Sequence, residues 1–291
     1  MRARSRGLLI AVCLLLVLLI AVSIYLLTNR DDLLKIQHRL APREEHVDFA
    51  EASAPDHDIY AFSALPDDPR VTVDQSMLMV NADHGLPADF VPELVEYRTS
   101  GVDMNRAMTD AYGALSDHII NVLKSRMYVS SVYRTREEQE ELYAMDPAIA
   151  QVPGHSEHET GLAADVYVAE YAGMNFINSE TGRFVNDNCW RFGFIIRYPE
   201  GKESITGIGF EPWHLRYIGQ PHATIMADKW WTLEEYYDHV EPGKWYRSGF
   251  YKLGRFPADS VPVPRTGNVT ISPDNTGYVF VTVEFDEQQG E

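Results

Sequence analysis

Gly7 to Leu27 is a run of 21 residues with no charged side chain, rich in Leu, Ile and Val. As a helix at about 1.5 Å per residue it would extend roughly 31 Å, the thickness of a bilayer hydrocarbon core. Arg2, Arg4 and Arg6 precede the run, and Arg30, Asp31 and Asp32 follow it. The positive-inside bias then predicts residues 1–6 in the cytoplasm, a single membrane-spanning anchor over 7–29, and the rest of the chain outside the cell. The competing reading is a cleaved signal peptide with Ala21-Val22-Ser23 as the cleavage site. The apolar run continues past that point, which favours the anchor.

The charge divides in the same way. The chain has 25 Lys and Arg and 43 Asp and Glu, a formal net charge of −18 over 291 residues. Residues 1–29 carry three Arg and no acid, so the remainder stands at −21. Such acidity argues against binding a phosphate backbone and excludes a nucleic-acid partner. An aromatic content of 11% supports an ordered core. Cys13 and Cys189 alone cannot make a disulfide framework or a Cys-based zinc finger. Cys189 reads as a small buried hydrophobe. Nothing in the pattern sets an oligomeric state, and a monomer is the default expectation.

Beyond the anchor, residues 30–70 are polar, acidic and interrupted by Pro42, Pro55, Pro66 and Pro69, which reads as an extracellular stalk. Over 103–126, apolar residues at Met104, Met108, Leu115, Ile119 and Leu123 have helical spacing, with Asp103 as the expected N-cap. Thr135 lies three residues before Glu138, a capping-box spacing that starts a second helix. Residues 127–133, 163–168, 194–198 and 213–218 are strand candidates. Strands interleaved with helices predict an α+β domain over 71–240, a small mixed domain with a central antiparallel sheet flanked by helices. Ser272 to Gly277 is a strong turn signal followed by a β run, so 241–291 reads as a small β-rich appendage.

Residues 154–165 are dense in groups able to bind a metal. His158-Glu159 begins a His-Glu-x-x-His pattern, but position 162 is Leu, so the zinc-protease helix is excluded. A different arrangement remains, with His158 on a Gly-rich loop and Asp165 on the strand after it. A third ligand must come from elsewhere, and His214 is the best candidate because Glu211 stands three residues before it. Two His, one carboxylate and an open fourth position make a catalytic zinc shell, and a nearby Glu can take a proton from water. Pro212 puts Glu211 in the loop before the strand, free to turn toward the metal. His155 reads as a loop residue or a supporting neighbour. His38, His46, His57 and His222 read as structural or surface residues.

These residues resemble a known family. Ser156 to Asp165 has the form Ser-x-His-x-x-Gly-x-Ala-x-Asp, Glu211 to Tyr217 reads Glu-Pro-Trp-His-Leu-Arg-Tyr, and Ser131 to Gln139 reads Ser-x-Tyr-Arg-x-x-x-x-Gln. Together with Gly193 to Lys202, and in this order, they resemble the zinc D-alanyl-D-alanine carboxypeptidases of VanY type over about residues 77–235. A weaker likeness continues into the tail around 272–282. The resemblance implies a hedgehog/DD-peptidase-like fold, with Zn2+ held by His158, Asp165 and His214. It implies that Glu211 is the catalytic base and then the acid, and that Arg134 stabilises the oxyanion and holds substrate. Gln139, Ser156 and Trp213 match positions near the substrate. Val132 stands where the upstream motif more often has Gly. The implied substrate is the peptidoglycan stem peptide or its lipid-linked precursor, met by the domain at the outer face of the cell membrane. The alternatives are an L,D-carboxypeptidase acting on tetrapeptide stems, since related enzymes share these motifs, and a non-catalytic zinc-binding module of the kind the hedgehog domain illustrates.

Overall fold

The structure is a computed structural model that describes residues 14–23, 25, 48–147 and 150–286. They fall into two units, within Met1–Arg43 and within Glu44–Glu291. The expected cytoplasmic end (1–6) and residues 30–47 of the expected stalk, with His38 and His46, lie outside the described residues.

In the first unit, residues 14–23 are helical with their apolar side chains exposed. Among the described residues, no helix is long and apolar enough to cross a membrane. This overturns the expected localisation, a single-pass anchor holding the remaining chain outside a cell.

The second unit is α+β. Its early strands are short: β1 (Ala50–Ala52), β2 (His57–Tyr60), β3 (Val71–Val73), β4 (Leu94–Glu96) and β5 (Asp103–Asn105). Helix α1 (Arg106–Asn121) follows, then β6 (Tyr128–Ser131), α2 (Arg136–Met145) and β7 (Ala163–Tyr167). Next come α3 (Glu180–Asn188), β8 (Phe194–Ile196), the single turn α4 (Glu203–Thr206), β9 (His214–Tyr217), α5 (His222–Lys229) and α6 (Leu233–His239). The chain closes with β10 (Trp245–Ser248), β11 (Tyr251–Pro257), β12 (Val261–Pro264), β13 (Asn268–Pro273) and β14 (Tyr278–Glu284).

Helix α1 starts later than its apolar spacing suggests. Residues 103–105 pair with β4, and Asn105 rather than Asp103 caps the helix, its side-chain oxygen accepting from the Ala107 N–H at 3.1 Å. The strand pairing claims Asp103, and the amide of Asn105 satisfies a free N–H of the first turn. The expected capping box of α2 is present: Glu138 N–H donates to Thr135 Oγ1 at 3.1 Å and Thr135 N–H to Glu138 Oε2 at 2.8 Å.

The four-stranded antiparallel sheet runs β6-β7-β9-β8. Its two faces carry different chemistry because side chains alternate along each strand. Ala164, Val166, Phe194, Ile196 and Leu215 face a core closed by Met108, Tyr112, Leu115 and Ile119 of α1. Cys189 is buried in the same cluster, and burial pushes its thiol up to about 12. The other face carries Asp165, His214 and Arg216.

The tail strands build a six-stranded sheet ordered β1-β10-β11-β14-β13-β3. A second core lies between this sheet and α5–α6, with Leu253 and Phe280 against Ile225, Met226, Leu233 and Tyr236. Strands β1 and β2 come from the segment read as a stalk and pair with β10 and β12, while β3, at the start of the expected domain, pairs with β13. Each is three or four residues long, too short to show a period, and its hydrogen-bond partners lie near the far end of the chain.

Candidate metal centre

Strand register brings the first two groups together. Asp165 on β7 lies directly opposite His214 on β9, and Ser131 on β6 lies opposite Asp165. Directly opposed residues share a face, with Cβ atoms about 5 Å apart. A bulge between Val129 and Ser131 sets the last of these alignments. The third group arrives from the loop before β7, where Glu157–Thr160 form a 3-10 turn that ends at Gly161 with φ +68°. Gly161 is needed twice over. Its φ is left-handed, and a Cβ there would lie 2.7 Å from Leu94 Cδ2 and 3.0 Å from the Asn105 backbone nitrogen.

The result is a cluster of His158, Asp165 and His214 whose ligand atoms all lie within 4.8 Å of one another. His158 Nε2 is 3.4 Å from Asp165 Oδ2, and His214 Nδ1 is 3.0 Å from Asp165 Oδ1. Donors in a tetrahedral shell with bonds of about 2.0–2.1 Å stand roughly 3.3 Å apart, so the spacing fits one small cation. A second observation agrees. Asp165 Oδ1 is buried and, despite the short approach to His214, makes no aligned hydrogen bond. One nitrogen of each imidazole thus lies against the Asp165 carboxylate.

The outer nitrogens are occupied. His158 Nδ1 lies 2.7 Å from the Val132 carbonyl, an acceptor only, so Nδ1 carries the proton and Nε2 offers its lone pair. His214 Nε2 faces Glu157 Oε2 at 3.4 Å, which leaves Nδ1 for the cluster. Burial opposes charge on His214, but Asp165 and Glu157 outweigh it and raise its pKa to about 9. The same carboxylates that favour a proton on His214 would favour a divalent cation in its place. Burial likewise opposes charge on Asp165, yet its two histidine contacts hold it well below the usual carboxylate range.

Glu211 sits in the turn before β9, as Pro212 suggested, with Oε2 3.6 Å from His214 Nδ1. Burial raises its pKa, Asp165 and Glu157 raise it further, and His214 opposes them. Arg134 is half-buried beside this face. Its guanidinium donates to Gln139 Oε1 at 2.7 Å and Ser131 Oγ at 3.0 Å, and its backbone N–H to the His158 carbonyl at 3.1 Å. Gln139 is buried and donates to the Gln151 carbonyl at 2.6 Å, so its amide fixes the arginine. Ser156 is buried at the entry to the 3-10 turn. Trp213, in the turn before β9, is half-buried and packs against the α1 core. His155 is held outside the cluster, its Nδ1 donating to the Asn81 carbonyl at 2.7 Å.

The structure adds residues that sequence spacing did not single out. Glu157 is fully buried, with Oε1 accepting from Arg197 Nε at 2.7 Å and Arg216 Nη1 at 2.8 Å. Burial alone would raise its pKa, but the two arginines and His214 hold it well below the carboxylate range. Arg197 also pairs with Glu234 of α6.

A fold of this class with two imidazoles and a carboxylate on one sheet face has known counterparts. Residues 103–220 match the family model VanY, D-alanyl-D-alanine carboxypeptidase. A D-alanyl-D-alanine carboxypeptidase of Enterococcus faecium is 33% identical over 195 residues, 63% of this chain and 62% of that protein. The match thus spans less than two thirds of that relative's length. Among solved structures, VanYB in complex with D-alanine-D-alanine is 32% identical with a TM-score of 0.51, over 57% of this chain and 99% of that one. The LdcB LD-carboxypeptidase is 29% identical with a TM-score of 0.52, over 64% of this chain and 95% of that one. The chain belongs to the VanY-type carboxypeptidase family.

Proposed function

We propose that this protein is a zinc-dependent D-alanyl-D-alanine carboxypeptidase that releases the terminal D-Ala from peptidoglycan stem peptides or their precursors. The observation that carries the reading is the convergence of His158 Nε2, Asp165 and His214 Nδ1 with Glu211 alongside. Zinc held by these three residues would supply Lewis acidity toward water and the scissile carbonyl. Glu211, its pKa raised by burial, takes the proton of the attacking water and returns it to the leaving amine. Arg134, held by Gln139 and Ser131, presents fixed positive charge to the developing oxyanion or the substrate's terminal carboxylate.

Replacing Glu211 by Gln removes the base but no metal ligand. E211Q is expected to retain bound zinc and to lose turnover by at least about 10²-fold, the lower end of what a general acid–base contributes. Full activity in E211Q would sink the assignment. Chelation should abolish alanine release by the wild-type protein, and zinc should restore it.

A second reading, L,D-carboxypeptidase activity on tetrapeptide stems, is favoured by the likeness to LdcB. Mass spectrometry of products from defined pentapeptide and tetrapeptide stems separates the two. Alanine released only from the tetrapeptide would overturn the D,D assignment.

A further inference from the structure

Glu157 and His158 are neighbours in sequence but serve the cluster from opposite sides. His158 offers Nε2 inward, whereas Glu157 reaches the far nitrogen of His214. The two carboxylate oxygens of Glu157 divide their partners. Oε1 receives both arginines, at 2.7 Å from Arg197 and 2.8 Å from Arg216, and Oε2 is left to face His214 Nε2 at 3.4 Å. A carboxylate present only to neutralise two buried cations has no need to keep one oxygen clear of both.

The arginines are themselves fixed from behind. Arg216 Nη2 donates to the carbonyls of Ser76 at 3.0 Å and Leu78 at 2.7 Å. Arg197 donates to both oxygens of Glu234, at 3.0 and 2.5 Å, and Glu234 also accepts from Asn81 Nδ2 at 3.1 Å. The side chains of Glu157, Arg197 and Arg216 are all fully buried. This network has no rotational freedom to spare, so the orientation of Oε2 is set before any ligand arrives.

We infer that Glu157 is a positioning residue for the metal centre: it accepts the Nε2–H of His214 and so holds that imidazole in the tautomer that offers Nδ1 to the metal. The inference rests on the metal-centre reading above. It carries a geometric consequence, that the two histidines coordinate through opposite nitrogens, Nε2 of His158 and Nδ1 of His214. Carboxylate partners of ligating histidines typically contribute about 10–100-fold in metal affinity.

The conservative test is Glu157→Gln in the full chain. The introduced amide keeps a carbonyl oxygen for the arginines but turns its NH2 toward His214 Nε2, favouring the wrong tautomer. Zinc affinity, measured by competition with a chromophoric chelator, is expected to fall about 10–100-fold while the far-ultraviolet circular dichroism stays that of the wild type. In parallel, long-range 1H–15N spectra of the zinc-loaded wild-type protein should show one coordinated histidine protonated at Nε2. Coordination of His214 through Nε2, or a folded E157Q that binds zinc within twofold of the wild type, would overturn the inference. Should E157Q fail to fold, the nitrogen assignment in the wild type decides alone. A wild-type protein that takes up no zinc would remove the metal-centre reading and this inference together, whereas zinc bound through the wrong nitrogen removes only the inference.

Discussion

Arg216 is the residue whose loss should be felt furthest from where it sits. Its buried guanidinium donates to Glu157 Oε1 at 2.8 Å, to the carbonyls of Ser76, Leu78 and Tyr217 at 3.0, 2.7 and 3.0 Å, and so joins β9, the turn before β7 and the segment ahead of β4. Replacement by Met keeps much of the stem volume and removes every donor. Glu157 retains Arg197, so its charge is not stranded, but the carbonyls of Ser76 and Leu78 lose their guanidinium partner at a cost of about 1–3 kcal/mol each. Removing one member of a buried ionic group typically costs about 3–5 kcal/mol, which agrees with that sum. At an m-value of about 2–3 kcal/mol per M, the urea midpoint of R216M should fall by roughly 1–2 M. Arg216→Lys, which keeps the charge but not the planar fork, should lose less. Hydrogen exchange should quicken at residues 76–80, since the carbonyls that anchor them are released. A midpoint shift under about 0.3 M, well below the loss expected from those donors, with unchanged exchange there, would refute the reasoning.

Gly161→Ala should destabilise the fold by at least about 1–2 kcal/mol, the usual cost of a left-handed backbone for a residue with a Cβ, and more where that Cβ meets the Asn105 backbone 3.0 Å away; thermal denaturation reads the loss, and an unchanged melting temperature would contradict it. Acid should weaken the packing of α5 on the tail sheet through His222, which lies between the Tyr236 hydroxyl at 2.6 Å and Thr282 Oγ1 at 2.9 Å. Burial depresses its pKa to about 3. Below about pH 6.5 the unfolded chain therefore takes up a proton that the folded chain refuses, and stability falls by up to about 1.4 kcal/mol per pH unit until pH nears the folded value. Urea midpoints measured from pH 7 to pH 4 should fall more steeply in the wild type than in His222→Asn, and equal slopes would exclude His222 as the source.

The candidate metal cluster was legible in the sequence because its three residues stand in local patterns. His158 and Asp165 lie seven residues apart across a Gly-marked loop-to-strand change, and His214 begins a strand whose flanking Pro212 signals the turn that carries Glu211. Trp213 was harder, since a tryptophan beside a ligand can face either way. The structure places it in the turn ahead of the strand, packed against the α1 core. The start of α1 was misplaced because Met104, whose apolar side chain continues the helical spacing, is buried just as well from a strand.

The Glu157 network was hidden for a different reason. Its members, Ser76, Glu157, Arg197, Arg216 and Glu234, are spread over most of the folded chain, and charged residues read one at a time belong on the surface. One local sign was available. In His214-Leu215-Arg216-Tyr217 the strand alternates, and Arg216 must share the face of His214. An arginine on the same face as His214, in a sheet buried on both sides, needs an anion within reach. Asp165 is already committed to the two histidines, so a further carboxylate had to lie close by, and Glu157 is the one the motif loop delivers. That requirement, and not any spacing rule, links the acidic residue beside His158 to the orientation of His214. It also explains why a site that gathers three carboxylates, Glu157, Asp165 and Glu211, can hold them together: two buried arginines offset Glu157, and the remaining pair faces the histidines.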